Sequence, residues 1–412
     1  MKEKLPKLLL AAHYEEGVGF TRVASHIKKA LRNHFEIHQF AYHFTGAPYV
    51  DEEGIHIYPA VSVPGDYLQT KALGQLLRTL QPDILFILFE LTYLRFILEA
   101  LRYQRSPMIT MASVAMDGMV PPKRKLIAHL TKLDVCIWYH DATRSHIETI
   151  VSNQPSLLHR AVRFEVVPHG VETDCFYPIN ERIADFSSVG RINIKRKVFP
   201  RLTDPEDSFI VFNGNRIDSR KNIETTISAF AAFARDKPAN VMLYIHKLST
   251  HSTGLLKLIE DLGIADRVIS EFLDGKKNYA DNEELNQIYN ACDVGINTCS
   301  AEGWGLVSCE HGATGAPQIV PRHTAFPEIW QEAATYIEPS DLQETNYTAN
   351  MVYHIDSDAV VPQLERLYRD KIYYKRKAEQ VFHRMNTAQY RWKNIERDWL
   401  QLLQDVTSRI SF

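Results

Sequence analysis

The sequence predicts an α/β fold of two domains, each a parallel sheet with helices on both faces, followed by a helical tail. Three observations predict it. Short apolar runs alternate with helical spacing from Lys7 to Val167, the alternation restarts at Phe209, and from Ala359 onward only helical spacing remains. Alternating strand and helix signals are the pattern of a parallel sheet covered on both sides. With 412 residues, 45% apolar and 24% charged, the chain has room for two or three ordinary domains with sizeable cores.

In the first half, Lys7–Ala12 reads as a strand and residues 17–33 as a loop and a helix rich in lysine and arginine. Phe35–Phe40 and Ile55–Tyr58 read as strands, Tyr67–Leu80 as a helix, and the unbroken apolar run Ile84–Phe89 as a buried strand. Met108–Met111, Val135–Tyr139 and Phe164–Val167 complete the series. Residues 181–208 are polar, contain proline and lack periodicity; they read as a linker with an extended loop. The second half gives strands at Phe209–Asn213, Val241–His246, Val268–Phe272, Val294–Asn297 and Gln318–Pro321. Its helices are Asn222–Arg235, Leu255–Leu262, Glu283–Ala291 and Gly305–Thr314. The domains are therefore expected at 1–180 and 209–375, with 376–412 as helices packing back on the first domain. Tyr390, Trp392, Trp399, Leu400 and Leu403 recur at helical spacing there and read as a packing face. Two such domains place a ligand in the crevice between their strand ends.

Net charge is −3, so no overall nucleic-acid footprint exists. The basic runs Lys123-Arg124-Lys125 and Lys195-Arg196-Lys197 read first as solvated surface charge; they also suit an anionic acceptor or an acidic membrane surface. Five cysteines, at 136, 175, 292, 299 and 309, form no CxxC pair and no metal spacing, which suggests a reduced, cytoplasmic setting. The N-terminal apolar stretch Leu8–Ala12 is too short for a signal peptide, and nothing approaches a spanning helix. Any membrane contact is expected to be peripheral.

The chemistry concentrates in Ser300-Ala301-Glu302-Gly303-Trp304-Gly305-Leu306-Val307-Ser308-Cys309-Glu310. A glycine-punctuated loop entering a helix offers free amides and a positive dipole end, which suits a phosphate. Glu302 lies on the loop and Glu310 about one turn inside the helix, so the two acids can flank one ligand. A sugar nucleotide needs that layout, with its diphosphate on amides and its hydroxyls on carboxylates. Taken alone, the motif is equally a surface loop with two solvated acids. Earlier, Phe212-Asn213-Gly214-Asn215-Arg216 ends a strand and Asp218-Ser219-Arg220-Lys221-Asn222 opens a helix, so Arg216 and Lys221 converge where paired cations neutralise a diphosphate.

The ordered set Arg216, Lys221 and Glu302-x7-Glu310 resembles the family 4 glycosyltransferases. So do Val166-Val167-Pro168-His169-Gly170-Val171-Glu172, similar to that family's domain-crossing segment, Phe326-Pro327-Glu328-Ile329, and the closing Tyr390-x-Trp392 helix. The resemblance covers residues 166–339 and is thin before that. It implies a GT-B architecture: two Rossmann-like domains with parallel sheets facing across a cleft, and a C-terminal helix crossing back. It also implies a nucleotide-diphosphate sugar donor, a hydroxyl-bearing acceptor and retention at the anomeric carbon. Arg216 and Lys221 match the diphosphate pair, Glu302 the acid on the donor sugar, and Glu310 the acid on the ribose hydroxyls. Gly303, Trp304 and the amides of Gly305, Leu306 and Val307 match the donor cradle.

No metal and no cofactor are expected, since Arg216 and Lys221 already supply positive charge. The one Asp-x-Asp, Asp356-Ser357-Asp358, precedes a helix and reads as an N-cap. On the acceptor side, Gly17 and Gly19 follow the first strand and let backbone approach a ligand. They form no dinucleotide fingerprint, because Arg22 stands where the third glycine belongs. Asp117 occupies the region where many relatives carry a histidine; it is either an Asp-Gly turn or a group that orients or deprotonates the acceptor hydroxyl. His13, His140 and His169 are lesser candidates. Two alternatives remain: an epimerase on the same fold, and a non-catalytic sugar-nucleotide-binding subunit. The acceptor, whether glycan, lipid-linked sugar or small molecule, is not specified by these residues.

Overall fold

The computed structural model describes residues 5–15, 19–60, 66, 69–119, 127–154, 161–179, 189–270, 280–344 and 351–408. The first sheet contains β1 (Lys7–His13), β2 (Glu36–Tyr42), β3 (Tyr49–Val50), β4 (His56–Pro59), β5 (Ile84–Glu90), β6 (Ile109–Ala115), β7 (Val135–Trp138) and β8 (Arg163–Val166). Its order is β3-β4-β2-β1-β5-β6-β7-β8, parallel except for the short antiparallel β3 edge. The second holds β9 (Phe209–Asn213), β10 (Val241–Ile245), β11 (Val268–Ile269), β12 (Val294–Ile296), β13 (Gln318–Pro321) and β14 (Thr335–Ile337), in the order β11-β10-β9-β12-β13-β14. That order reverses direction between β9 and β12, and the first sheet reverses between β1 and β5. In doubly wound sheets the crevice at the carboxyl ends of such strand pairs is where ligands bind.

The strands are continuous apolar runs because both faces are covered. Residues 84–89 of β5 are buried throughout, with helices on either side. β6 is longer than the expected Met108–Met111, running to Ala115 with every residue buried. Its small residues Ala112, Ser113 and Ala115 give a weak hydrophobic signal but fit the crowded middle of a sheet. Beyond the expected elements, β14 extends the second sheet, and β15 (Leu342–Glu344) pairs antiparallel with β16 (Met351–Tyr353). Met119 bridges to Met351, so this hairpin touches the first domain.

Residues 181–208 are not simply an extended linker: a helix spans Val189–Val198. Its Lys195 is buried against Asp293 Oδ2 at 2.9 Å and donates to the Ser208 carbonyl at 2.8 Å. Ile194 and Phe199 join the core beside β9 and β10. The tail also departs from the expected boundary at 376. The helix Lys371–Met385 stays on the second domain, with Lys377 donating to the Glu332 and Ala334 carbonyls and Arg384 to that of Ile329. The return begins at Trp392. From there the helix Trp392–Ser408 lays Ile395, Trp399 and Leu403 into the first domain's core beside Leu8, Phe86 and Ile27.

Candidate active site

Lys221 follows β9 and Glu302 follows β12, so the switch point of the second sheet brings them together. The loops carrying them are tied at several points. Asn213 Nδ2 donates to Thr226 Oγ1 at 2.8 Å, Thr226 Oγ1 meets Thr298 Oγ1 at 2.8 Å, and Ser300 N donates to the Arg220 carbonyl at 2.8 Å. Asp218 caps the short turn Ser219–Lys221 by accepting from the Lys221 amide, and Asn222 leaves it with φ 47°. Lys221 Nζ is thereby delivered directly onto the buried Glu302 carboxylate.

The second cation in this cluster is Arg220. It stands 3.6 Å from Glu302 Oε1 and 3.2 Å from Asp117 Oδ2, and donates to the Ala301 carbonyl at 2.7 Å. Asp117, past the end of β6, also accepts from the Gly303 amide at 3.1 Å, so it links the two domains. Burial alone would raise the Glu302 carboxyl; Lys221 and Arg220 overcome that and hold it down at about 2. Burial raises Asp117, with Arg220 opposing it. Two carboxylates near the same cations are thus pushed in opposite directions.

Arg216 does not join this buried group. Its side chain is 71% exposed and faces Asp218 at 3.6 Å. It lies near enough to His13 and Glu90 to influence both, so it looks across the cleft toward the first domain. Glu90 closes β5, and burial raises its carboxyl.

Gly305 has φ 90°, and a Cβ there would sit 2.8 Å from Phe326, so only glycine fits this turn into the helix Leu306–Ala313. The amides of Leu306 and Val307 stand at that helix start, where backbone donors lack intrahelical partners. Gly19 opens the helix Gly19–Leu31 so close by that a Cβ on it would lie 3.3 Å from Leu306 Cδ1. Gly17 lies outside the described residues, as does the basic run 123–125. Trp304 is buried against Tyr390 and His169 at 5.8 and 5.4 Å, part of the interdomain packing.

Glu310 lies within the helix and is buried. Its Oε1 is held by Arg22 of the first domain, and its Oε2 accepts from the Tyr289 hydroxyl at 2.8 Å. The remaining candidates separate by environment. His13 is stacked on Phe89 and Phe20 at 4.5 and 5.1 Å, and burial lowers it to about 4. His140 caps the helix Asp141–Asn153 by accepting from the Thr143 amide. His169 is buried and lowered to about 3. Asp356 stands at the N-cap position of the helix Ser357–Arg369, yet its carboxylate pairs with His354 Nε2 at 3.0 Å instead of the helix amides. Glu328, from the Phe-Pro-Glu-Ile segment, accepts from the Asp141 and Ala142 amides at 2.8 Å each, a carboxylate from one domain on a helix start of the other.

Sequence reasoning missed Arg220, Arg22, Tyr289 and Glu90. The charge signal for Arg220 was present in Arg220-Lys221, but which two of the three nearby cations turn inward depends on the turn geometry. Among the described residues, no helix is long and apolar enough to cross a membrane.

Residues 194–376 match the sequence model of the family described as Glycosyl transferases group 1. A D-inositol 3-phosphate glycosyltransferase of Segniliparus rotundus is 26% identical over 168 residues, 40% of this chain and 33% of that relative, so the match spans about a third of the relative's length. Among solved structures, sucrose-phosphate synthase from Thermosynechococcus elongatus has TM-score 0.72 at 16% identity, covering 99% of this chain and 100% of that one. Anabaena Alr3699/HepE, in complex with UDP and glucose, has TM-score 0.69 at 13% identity, covering 97% and 100%. The chain has the two-domain α/β fold of these solved structures over 97–99% of its length.

Proposed function

We propose that this chain is a retaining, metal-independent glycosyltransferase of family 4. It moves a hexose-type sugar from a nucleotide diphosphate to the hydroxyl of a glycan, a lipid-linked sugar or a small molecule. The observation that carries this reading is the buried cluster of Glu302, Lys221 and Arg220 at the switch point, facing Asp117 of the first domain beside a helix start. The neighbour solved with UDP and glucose shares this fold, which supports a nucleotide-sugar donor.

The chemistry follows from charge. Breaking the bond between sugar and nucleotide builds negative charge on the leaving phosphate. Arg216, Lys221 and the amides of Leu306 and Val307 stabilise that charge, and losing one such donor costs about 3 kcal/mol. Glu302, kept ionised by two cations, accepts from sugar hydroxyls rather than attacking carbon. The favoured path is a front-side displacement with leaving phosphate and incoming hydroxyl on one side. Asp117 orients the acceptor hydroxyl.

Purified protein with a panel of nucleotide-diphosphate sugars tests this. Binding is expected as a raised melting temperature with one donor class, followed by transfer to an acceptor. Glu302→Ala and Lys221→Ala are each expected to cut turnover roughly a hundredfold or more. Near-normal turnover in folded variants defeats the assignment. Donor consumption without any acceptor product points to the epimerase reading instead.

A further inference from the structure

Arg22 has no place in the proposed chemistry, yet it makes a buried contact across the cleft. It lies in the first turn of the helix Gly19–Leu31, and its guanidinium reaches Glu310 in the other domain. Its own side chain is 26% exposed and that of Glu310 only 4%. We propose that Arg22 is a positioning residue for the donor nucleotide: it holds Glu310 as an oriented carboxylate that, among the described residues, keeps one acceptor site on each oxygen, a match for the two vicinal hydroxyls of a ribose. The inference rests on the donor reading above.

The argument is one of satisfiable bonds. An ionised carboxylate offers about four acceptor sites, two per oxygen. Arg22 occupies Oε1 and the Tyr289 hydroxyl occupies Oε2, at 2.8 Å for the latter. Among the described residues, one site per oxygen remains. A ribose diol brings two donors at adjacent carbons, so both can be accepted without displacing either protein partner.

The electrostatics agree. Burial pushes the Glu310 carboxyl above its ordinary range, and the nearby Glu172 pushes the same way; Arg22 and then Tyr289 oppose this. Arg22 is the only cation among these groups. Its pose is built: the guanidinium lies 5.8 Å from the Phe176 ring centroid, and His26, one turn on, bonds Glu172 at 3.1 Å and Glu396 at 2.8 Å. Because Arg22 belongs to the first domain and Glu310 to the second, the nucleotide pocket is complete only while the domains are closed.

The test is calorimetric titration of wild type, Arg22→Gln and Arg22→Lys with UDP, ADP and GDP and their 2′,3′-dideoxy counterparts, between about pH 5 and pH 8. Wild type is expected to prefer the ribose form of one nucleotide. Arg22→Gln is expected to lose roughly tenfold or more for that form. Its affinity for the dideoxy form stays unchanged, so the preference collapses. Its residual ribose binding also fails at a higher pH than in wild type, because acceptance needs the carboxylate and removing the cation raises the pH at which Glu310 takes up a proton. Arg22→Lys recovers part of the loss. Arg22→Met, which keeps the aliphatic stem against Phe176, repeats the comparison should the glutamine variant fail to fold. Unchanged or tighter ribose binding in a folded variant overturns the positioning role and leaves the donor reading standing. Wild type that binds no nucleoside diphosphate overturns both.

Discussion

Arg216 and Arg220 are four positions apart and do opposite things. Arg220 is enclosed between Asp117 and Glu302, while Arg216 is 71% exposed with the half-buried Asp218 3.6 Å away. Removing a partner from a buried ion pair leaves uncompensated charge and costs about 3–5 kcal/mol, whereas an exposed substitution changes stability by about 0.5 kcal/mol or less. Arg216→Ala is therefore expected to melt like wild type and yet lose turnover, and Arg220→Ala to lose both. Thermal melts beside donor turnover check this; a marked drop in the melting temperature of Arg216→Ala sinks the distinction. The pair also marks how far the candidate site was legible in sequence. Lys221, Glu302 and Glu310 follow from loop and helix spacing, since spacing fixes which residues sit at a strand end or a helix start. Arg220 and Arg22 do not. Arg220 turns inward because a capped turn ends on Asn222 at positive φ, and Arg22 matters because of a carboxylate 288 residues away.

At the level of elements, the helix Val189–Val198 shows where periodicity fails. Its anchor is a lysine: Lys195 is 2% exposed and bonds both oxygens of Asp293 at 2.9 Å, while Asp293 also accepts from the Ile210 amide at 2.7 Å. Hydrophobic patterning cannot register a helix held by charge, and the partner lies 98 positions on. Lys195→Ala is expected to cost about 3–5 kcal/mol in denaturant unfolding, with the loss centred on the second domain. A change below about 1 kcal/mol makes this helix an accessory, not a part of the domain. The strands, by contrast, were legible because both faces of each sheet are covered, and continuous apolar runs such as Ile84–Phe89 have few other uses. The edge hairpin of β15 and β16 and the short β14 were not, being only three residues each.

Across the whole molecule, the two domains share more than a cleft. One core unites Ala115, Tyr139 and Val171 from the first half with Trp304, Phe326 and Tyr390 from the second. The Val171 amide donates to the Tyr390 carbonyl at 2.7 Å, and the last helix then seals the first sheet with Trp392, Trp399 and Leu403. The tail thus belongs to the first domain's core while its chain leaves from the second, so neither domain can lose it without exposing apolar surface. Wild type is therefore expected to unfold in one step, with far-ultraviolet circular dichroism and tryptophan fluorescence coinciding. Trp399→Ala opens a cavity worth about 3–5 kcal/mol beside Phe86, whose ring centroid lies 5.4 Å away. That loss falls on the first sheet alone. The two signals are expected to separate, with an early transition from the first domain and a later one from the second. A variant that still melts in one coincident step, merely at lower temperature, shows that the shared core rather than the returning helix couples the domains.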